Sequence, residues 1–285
     1  MAQDQAQGAE SGKAKKKGGG RFKVGLIFSI AVLVCVIGSD ISTTILMAAL
    51  AALCCFELCG LLRSDSKIPN EWLGIACAAL YPFSYFWFGA KGMLVLTLLL
   101  MVIAIVWYVG ALRTRITDVG ITVFSALYTG LLLTSFVVIR SAVPGVWGGV
   151  FTALIIVSIW ANDTMAFVWG SRLGRHRLAP RISPKKSWEG CVAGIVGSVV
   201  IWELTPFVPG IEITFVTAAI CAVVTGVFSI AGDLAESRIK RAAGMKDSGT
   251  LLQGHGGFFD RCDAMILGGA AAVACLIACG VIPMI

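Results

Sequence analysis

The sequence predicts an all-α, polytopic transmembrane helical bundle of about nine spans with a cytoplasmic N-terminus. Of its 285 residues, 58% are hydrophobic and only 14% charged, and the mean hydropathy is +0.88. Apolar runs close to the ~20 residues that cross a bilayer recur along the whole chain. A soluble domain of this length needs more surface charge, and a closed β-barrel would show short alternating segments instead. Helices satisfy the demand of lipid that every backbone polar group be paired within the protein.

Residues 1–23 carry Gly8, Gly18, Gly19 and Gly20 beside Lys13, Lys15, Lys16 and Lys17. They cannot bury a core and are expected to form a disordered basic cytoplasmic tail. The apolar run from Val24 to Gly38 follows that tail as the core of a secretion signal would. Apolar segments continue to the C-terminus, so it reads as an uncleaved first span. Hydropathy then predicts spans at 24–39, 42–61, 72–89, 93–112, 119–139, 146–170, 190–202, 213–232 and 264–283. Residues 24–145 form an N-terminal group of helices, and residues 146–285 a C-terminal catalytic region with polar cytoplasmic loops.

Orientation follows from the basic residues. With the N-terminus inside, 21 of the 23 Lys and Arg face the cytoplasm, and only Lys91 and Arg140 fall outside. The same threading accounts for the net charge of +7. No recognisable nucleic-acid motif accompanies that charge, so no nucleic-acid partner is expected. The ten cysteines lie mostly in apolar runs without the spacing or partner histidines of a zinc site. They read as small buried hydrophobes, Cys54, Cys55 and Cys59 included.

Polar groups concentrate in three places that this topology brings to one side. Asn162, Asp163 and Thr164 interrupt an apolar stretch, and an ionisable residue within a span costs ~2.5–3.5 kcal/mol on insertion scales, which marks it as functional. Its alternative role is as a polar tie between helices. The segment Ser171 to Glu189 packs six basic residues beside Pro180 and Pro184, which break any helix. Such a loop can hold phosphates or simply enforce orientation.

The third place runs from Gly232 to Asp263. On a helix extended from the eighth span, Asp233, Ser237, Lys240 and Arg241 share one face, and Gly244 is suited to end that helix. Gly249, Gly254, Gly256 and Gly257 make a loop whose backbone can approach an anion closely. Asp260 and Asp263, three apart at the start of the last helix, repel each other and call for a cation or basic partners. Magnesium suits oxygen ligands shared with substrate phosphates, and Lys240, Arg241, Lys246 and Arg261 could hold those phosphates. Intrasegment salt bridges are the plainer alternative.

These residues also carry a resemblance. Ser237, Lys240, Arg241, Lys246, Asp247, Gly249, His255, Gly256, Gly257, Asp260, Arg261 and Asp263, at this spacing, closely resemble the signature of the phosphatidate cytidylyltransferases. The likeness extends upstream through Asn162-Asp163-Thr164 and Ile182 to Gly190. One departure is Gln253, where the family usually has proline ahead of the glycine and histidine.

The resemblance implies a magnesium-dependent nucleotidyl transfer from CTP to phosphatidate, yielding CDP-diacylglycerol and pyrophosphate. The basic tail, the reading of the first span as uncleaved and the Lys and Arg threading lead to the expectation of a bacterial-type inner membrane with the site at its cytoplasmic face. The resemblance also implies metal ligation by Asp233, Asp260 and Asp263, with a monovalent cation such as K+ beside the magnesium, and it is compatible with a homodimer. Lys185, Lys186, Arg241, Lys246, Arg261 and the Gly256-Gly257 backbone would then serve phosphates. Lys240 and His255 join the aspartates in catalysis, and Asn162, Asp163, Asp247 and Ser237 stand behind them. Two other readings remain open at this level: a CTP-dependent lipid-alcohol kinase, and an ion-coupled transporter.

Overall fold

The computed structural model describes residues 25–63, 67–245, 248–249 and 256–283. The tail expected over 1–23, and Lys246, Asp247, Gln253, Gly254 and His255, lie outside the described residues. The chain builds α1 (Gly25–Gly38), α2 (Asp40–Leu62), α3 (Glu71–Gly110) and α4 (Ile116–Ala126), which passes through a π-turn (Leu127–Leu131) towards α5 (Ser135–Ser141). Then come α6 (Val146–Leu173), β1 (Arg177–Ala179), β2 (Ser183–Ser187), α7 (Trp188–Trp202), a 3-10 turn (Thr205–Phe207), α8 (Phe215–Ala242) and α9 (Phe259–Ala278). Among the described residues, seven helical stretches are long and apolar enough to cross a membrane, α4–α5 counting as one, while α1 is shorter. The all-α bundle expected from hydropathy is the architecture observed.

At 40 residues, a straight α3 would extend about 60 Å, twice the hydrocarbon thickness of a bilayer. It does not run straight. Gly89, with φ 60° and ψ −151°, takes a backbone conformation that side chains disfavour. Beyond it the helix returns antiparallel: the Tyr81 hydroxyl meets Thr97 Oγ1 at 2.9 Å, and Cys77 packs in one small cluster with Leu100. The apolar runs 72–89 and 93–112 are the two limbs of this hairpin.

Small residues bring the C-terminal helices together, as expected where lipid supplies no hydrophobic drive between them. Gly190, Gly194 and Gly197 of α7 face Asn162, Met165 and Ala166 of α6 so closely that a side chain at any of them would collide. Gly232 of α8 sits against the carbonyl of Asp263 and Cα of Ala264 on α9, and Gly268 of α9 against Ser229. The core between these pairs and α2 holds Phe136, Phe151, Trp202, Phe259 and Met265, all fully or almost fully buried.

Two local outcomes bear on the site. The segment expected to be an irregular loop, Ser171 to Glu189, contains an antiparallel hairpin pairing Arg177 with Ser187 and Ala179 with Ser183. Pro180 and Pro184 exclude helix but are compatible with the turn and with a strand lacking neighbours on one side. Helix α8 continues past its apolar run to Ala242 and ends at Gly244, whose φ is +67°. There the amide of Gly244 donates to Arg241 (3.1 Å) and that of Met245 to Lys240 (2.9 Å), closing the last turn.

At the opposite end of the bundle, Arg140 is buried. Its Nη1 pairs with Asp40 Oδ1 at 2.7 Å and its Nε donates to the Val36 carbonyl at 3.0 Å, tying α5 to the α1–α2 turn. Asp40 is half exposed while the Arg140 side chain is 3% exposed, so removing either partner has unequal effects. Asp40→Asn, which strands a buried guanidinium, should lower stability by about 3 kcal/mol. Arg140→Met leaves a carboxylate that water can reach and should cost less. Thermal unfolding in detergent micelles will give the order of the two melting temperatures.

Candidate active site

At one end of the bundle four carboxylates converge. Oxygens of Asp233 and Glu236 on α8 and Asp263 on α9 lie within 4.8 Å of one another. Asp163 of α6 stands close enough that its charge, that of Asp233 and that of Asp263 act on one another. The close approach of Gly232 to the Asp263 backbone brings the two helices to this spacing. The opposing charge comes from Lys186, which forms an ion pair with Asp233, and from Lys240, whose Nζ lies 2.8 Å from Glu236 Oε2.

Those two ammonium groups do not balance four carboxylates. Glu236 is 2% exposed, and its Oε1 is buried without a hydrogen-bond partner among the described residues. An orphaned carboxylate oxygen beside two further carboxylates is an arrangement that a hard cation satisfies, since it takes oxygen ligands and cancels their repulsion. Asp233, Glu236 and Asp263 therefore fit a divalent cation, with Asp163 adjacent.

This set differs from the expected one. Asp260, second residue of α9, turns back to the helix start. Its Oδ2 accepts from the amides of Gly257 (2.7 Å) and Ser248 (3.1 Å), and its Oδ1 meets Lys240 Nζ at 2.7 Å. Amides at a helix N-terminus have no intrahelical acceptor and attract a nearby carboxylate. Asp263, one turn deeper, accepts the neighbouring Ala264 amide at 2.7 Å and meets Asp233 and Glu236 of α8. Glu236 joins Asp233 and Asp263 in the cluster, and Asp260 borders it through side-chain contacts with Glu236 and Lys240.

Other expected residues divide similarly. Lys240, expected at phosphates, bridges Glu236 and Asp260. Ser237 Oγ donates to Asp233 Oδ1 at 3.4 Å. Asn162 is fully buried and donates through Nδ2 to the Gly226 carbonyl at 3.3 Å, a tie between α6 and α8; its neighbour Asp163, about 100° around the helix, reaches the acidic cluster. Arg241 and Arg261 are exposed near the ends of α8 and α9. Gly256, at φ +78°, leaves room for the Asp260 carboxylate. Lys246, Asp247 and His255 fall outside the described residues.

Beside the acidic cluster opens a cavity of about 390 Å³, lined by Asp163, Phe167, Arg177, Lys185, Lys186 and Asp233, among others. Its volume is in the range of sites for small ligands. The hairpin supplies its basic wall and is pinned in place: His176 Nδ1 meets Glu189 Oε1 at 2.7 Å, and Ser187 Oγ accepts the Gly190 amide at the start of α7. Phe167 and Ile230 add an apolar side, and Phe167 is strongly exposed at the bundle surface. Basic wall, acidic floor and apolar flank together suit a phosphorylated amphiphile held beside a cation.

Three participants were not singled out in the sequence. Glu236 lies one turn from both Asp233 and Lys240, so helical spacing alone could have found it. Glu57 is a carboxylate inside the apolar run of α2, and the rule that marked Asp163 applies to it equally. Tyr128, in the π-turn, packs edge-on against Phe259 with centroids 6.2 Å apart; the charges of Asp263 and Glu236 act on its phenol. No periodicity marks a π-turn, so this placement had no sequence signal.

Known proteins share this sequence pattern. A model described as the Cytidylyltransferase family matches residues 20–279. The phosphatidate cytidylyltransferase of Bacillus subtilis (strain 168) is 30% identical over 251 residues, covering 86% of this chain and 93% of its own. Phosphatidate cytidylyltransferase 5, chloroplastic, of Arabidopsis thaliana is 32% identical over 291 residues, 90% of this chain and 72% of its own. A phosphatidate cytidylyltransferase of Synechocystis sp. (strain ATCC 27184 / PCC 6803 / Kazusa) reaches 42% over 119 residues, 42% of this chain and 40% of its own. With nearly the whole bundle matched, acidic cluster and basic hairpin included, the chain belongs to the cytidylyltransferase family.

Proposed function

We propose that this chain is an integral-membrane phosphatidate cytidylyltransferase, which converts CTP and phosphatidate to CDP-diacylglycerol and pyrophosphate. The observation that carries this reading is the juxtaposition of the Asp163, Asp233, Glu236 and Asp263 carboxylates with a cavity walled by Arg177, Lys185 and Lys186. The relatives named above bear this activity in their names, and the reaction needs no nucleic acid.

In this reaction a phosphate oxygen of phosphatidate bonds to the α-phosphorus of CTP. The bond from that phosphorus to the bridging oxygen of the β-phosphate breaks, and pyrophosphate leaves with the electron pair. A phosphate monoester is already largely ionised near neutral pH, so the nucleophile needs no general base. The protein's task is to align two polyanions and offset their charge. Lys185, Lys186 and Arg177 line the cavity where phosphates would lie; Lys186, paired with Asp233 in this structure, can exchange that carboxylate for a phosphate. Asp233, Glu236 and Asp263 would hold Mg2+, with Asp163 beside it and room in the charge balance for a monovalent cation. The metal, when bound, supplies positive charge to the phosphates as pyrophosphate departs. Asp260 and Lys240 would keep the start of α9 and Glu236 in place. Lys246 is assigned to phosphates, and His255 to donating to a phosphate oxygen or orienting a carboxylate, on the sequence pattern.

The bias of basic residues supports nine crossings, the two limbs of α3 and α1 included, with the N-terminus and this site in the cytoplasm. CTP would then enter from the cytosol while the acyl chains of phosphatidate stay in lipid beside Phe167.

Purified protein given CTP labelled at the α-phosphate, phosphatidate and Mg2+ should yield labelled CDP-diacylglycerol and unlabelled pyrophosphate. Release of labelled CDP with a phosphorylated alcohol would overturn the assignment. EDTA should abolish turnover and added Mg2+ restore it.

Asp233→Asn, Glu236→Gln and Asp263→Asn should each lower kcat by at least ~100-fold in a folded protein, whereas Lys67→Ala, outside the cluster, should stay within about twofold. Near-normal turnover in the three acidic variants would remove the metal site.

Gly232→Ala deletes no polar group, yet its methyl would displace the Asp263 backbone. A shift near 1 Å predicts a loss of about 100-fold, measurable in the same assay.

A further inference from the structure

The N-terminal helices carry no part of the family signature, yet one of them reaches the start of α9, beside the site. Glu57 of α2 is 4% exposed. Its Oε1 accepts the amide of Phe258 at 3.1 Å; its Oε2 accepts the amide of Phe259 at 2.8 Å and the Ser248 hydroxyl at 3.1 Å. Helix α9 has no capping side chain at Phe258, so the first amides of this helix are satisfied by a residue about 200 positions away, with Asp260 holding Gly257 from the other side. A buried carboxylate is costly unless hydrogen-bonded, and here the unpaired amides and the positive end of the helix both favour it.

The glycines report the same contact. A Cβ on Gly249 would lie 2.7 Å from Glu57 Oε1, and one on Gly257 would overlap Glu57 Oε2 and Ser248 Oγ. Two signature glycines are thus small because Glu57 occupies the space beside them. Asp263 follows Phe259 by one turn, so the point at which Glu57 holds the start of α9 sets where Asp263 meets Asp233 and Glu236.

The geometry points to Glu57 as a positioning residue for the cation and phosphate end of α9, a role that rests on the reading of the site given above. Glu57→Gln keeps the shape but replaces one acceptor oxygen with an NH2 group facing donors. Outer groups that orient ligands typically contribute 10–100-fold. The variant should therefore bind Mn2+, used as the probe for the divalent site and read by electron paramagnetic resonance without substrate, about tenfold more weakly. Its kcat should fall about tenfold or more, its KM for CTP should change less, and its melting temperature should stay close to that of the parent.

A double-mutant cycle tests the contact itself. Gly249→Ala, whose added methyl has its three nearest neighbours all on Glu57, should lower the activity of the parent enzyme, but in a Glu57→Ala background it should add little further loss. Normal Mn2+ affinity and kcat in Glu57→Gln, or losses that simply add in the cycle, would overturn the proposal. So would a lowered melting temperature with unchanged affinity and turnover, which would make Glu57 a purely stabilising residue. If the parent binds Mn2+ but makes no CDP-diacylglycerol, the functional reading fails while the Mn2+ comparison still decides the role of Glu57.

Discussion

Repulsion among closely spaced carboxylates is the constraint around which the polar end of this bundle is organised. Asp233, Glu236 and Asp263 bring oxygens within 4.8 Å of one another, with Asp163 acting on them from a third helix. Lys186 and Lys240 pair directly with members of this group. Such an arrangement is unfavourable in isolation and persists because helices packed elsewhere leave it no room to spread. The need for positive charge is therefore built into the scaffold, which is the property a site for polyphosphate transfer requires.

The packing that enforces it relies on missing side chains. Gly232 against Asp263 and Gly268 against Ser229 hold α8 and α9 together, and Gly190, Gly194 and Gly197 do the same for α7 and α6. Within lipid, close backbone approach replaces the hydrophobic drive of a soluble core. Because Gly232 immediately precedes Asp233, a close backbone crossing of α8 and α9 and the acidic cluster are the same place, so ligand spacing is inherited from backbone contact and does not depend on long side chains. The basic wall is held differently, by a short hairpin locked through His176, Glu189 and Ser187, while Lys186 links it to Asp233.

The helices before residue 146 do more than anchor the chain. Glu57 closes the start of α9, Tyr128 packs on Phe259 from the π-turn, and Arg140 with Asp40 binds the far end. A division into an anchoring half and a working half describes the distribution of the family signature along the chain but not the physical structure, in which α2 lies against both α8 and α9.

By itself the sequence determined the membrane-spanning α-helical class, the extension of α8 beyond its apolar run, its end at Gly244, and the crowding of charge between Asp163 and Asp263. Each is a local property: hydropathy, backbone freedom at a glycine, the cost of a charge inside a span. The signature supplied the family before any geometry was known. What only the tertiary structure decided is which carboxylates meet. Asp260 and Asp263 are equivalent by spacing, but unpaired amides at the helix start claim the first and leave the second to the cluster. Glu236 enters because Gly232 brings α9 against its face of α8. Glu57 enters because α2 happens to end beside a helix that lacks a cap. The break in α3 at Gly89 falls between the runs 72–89 and 93–112 that hydropathy already separates, so tertiary contacts such as Tyr81 with Thr97 decide only how the two limbs pack.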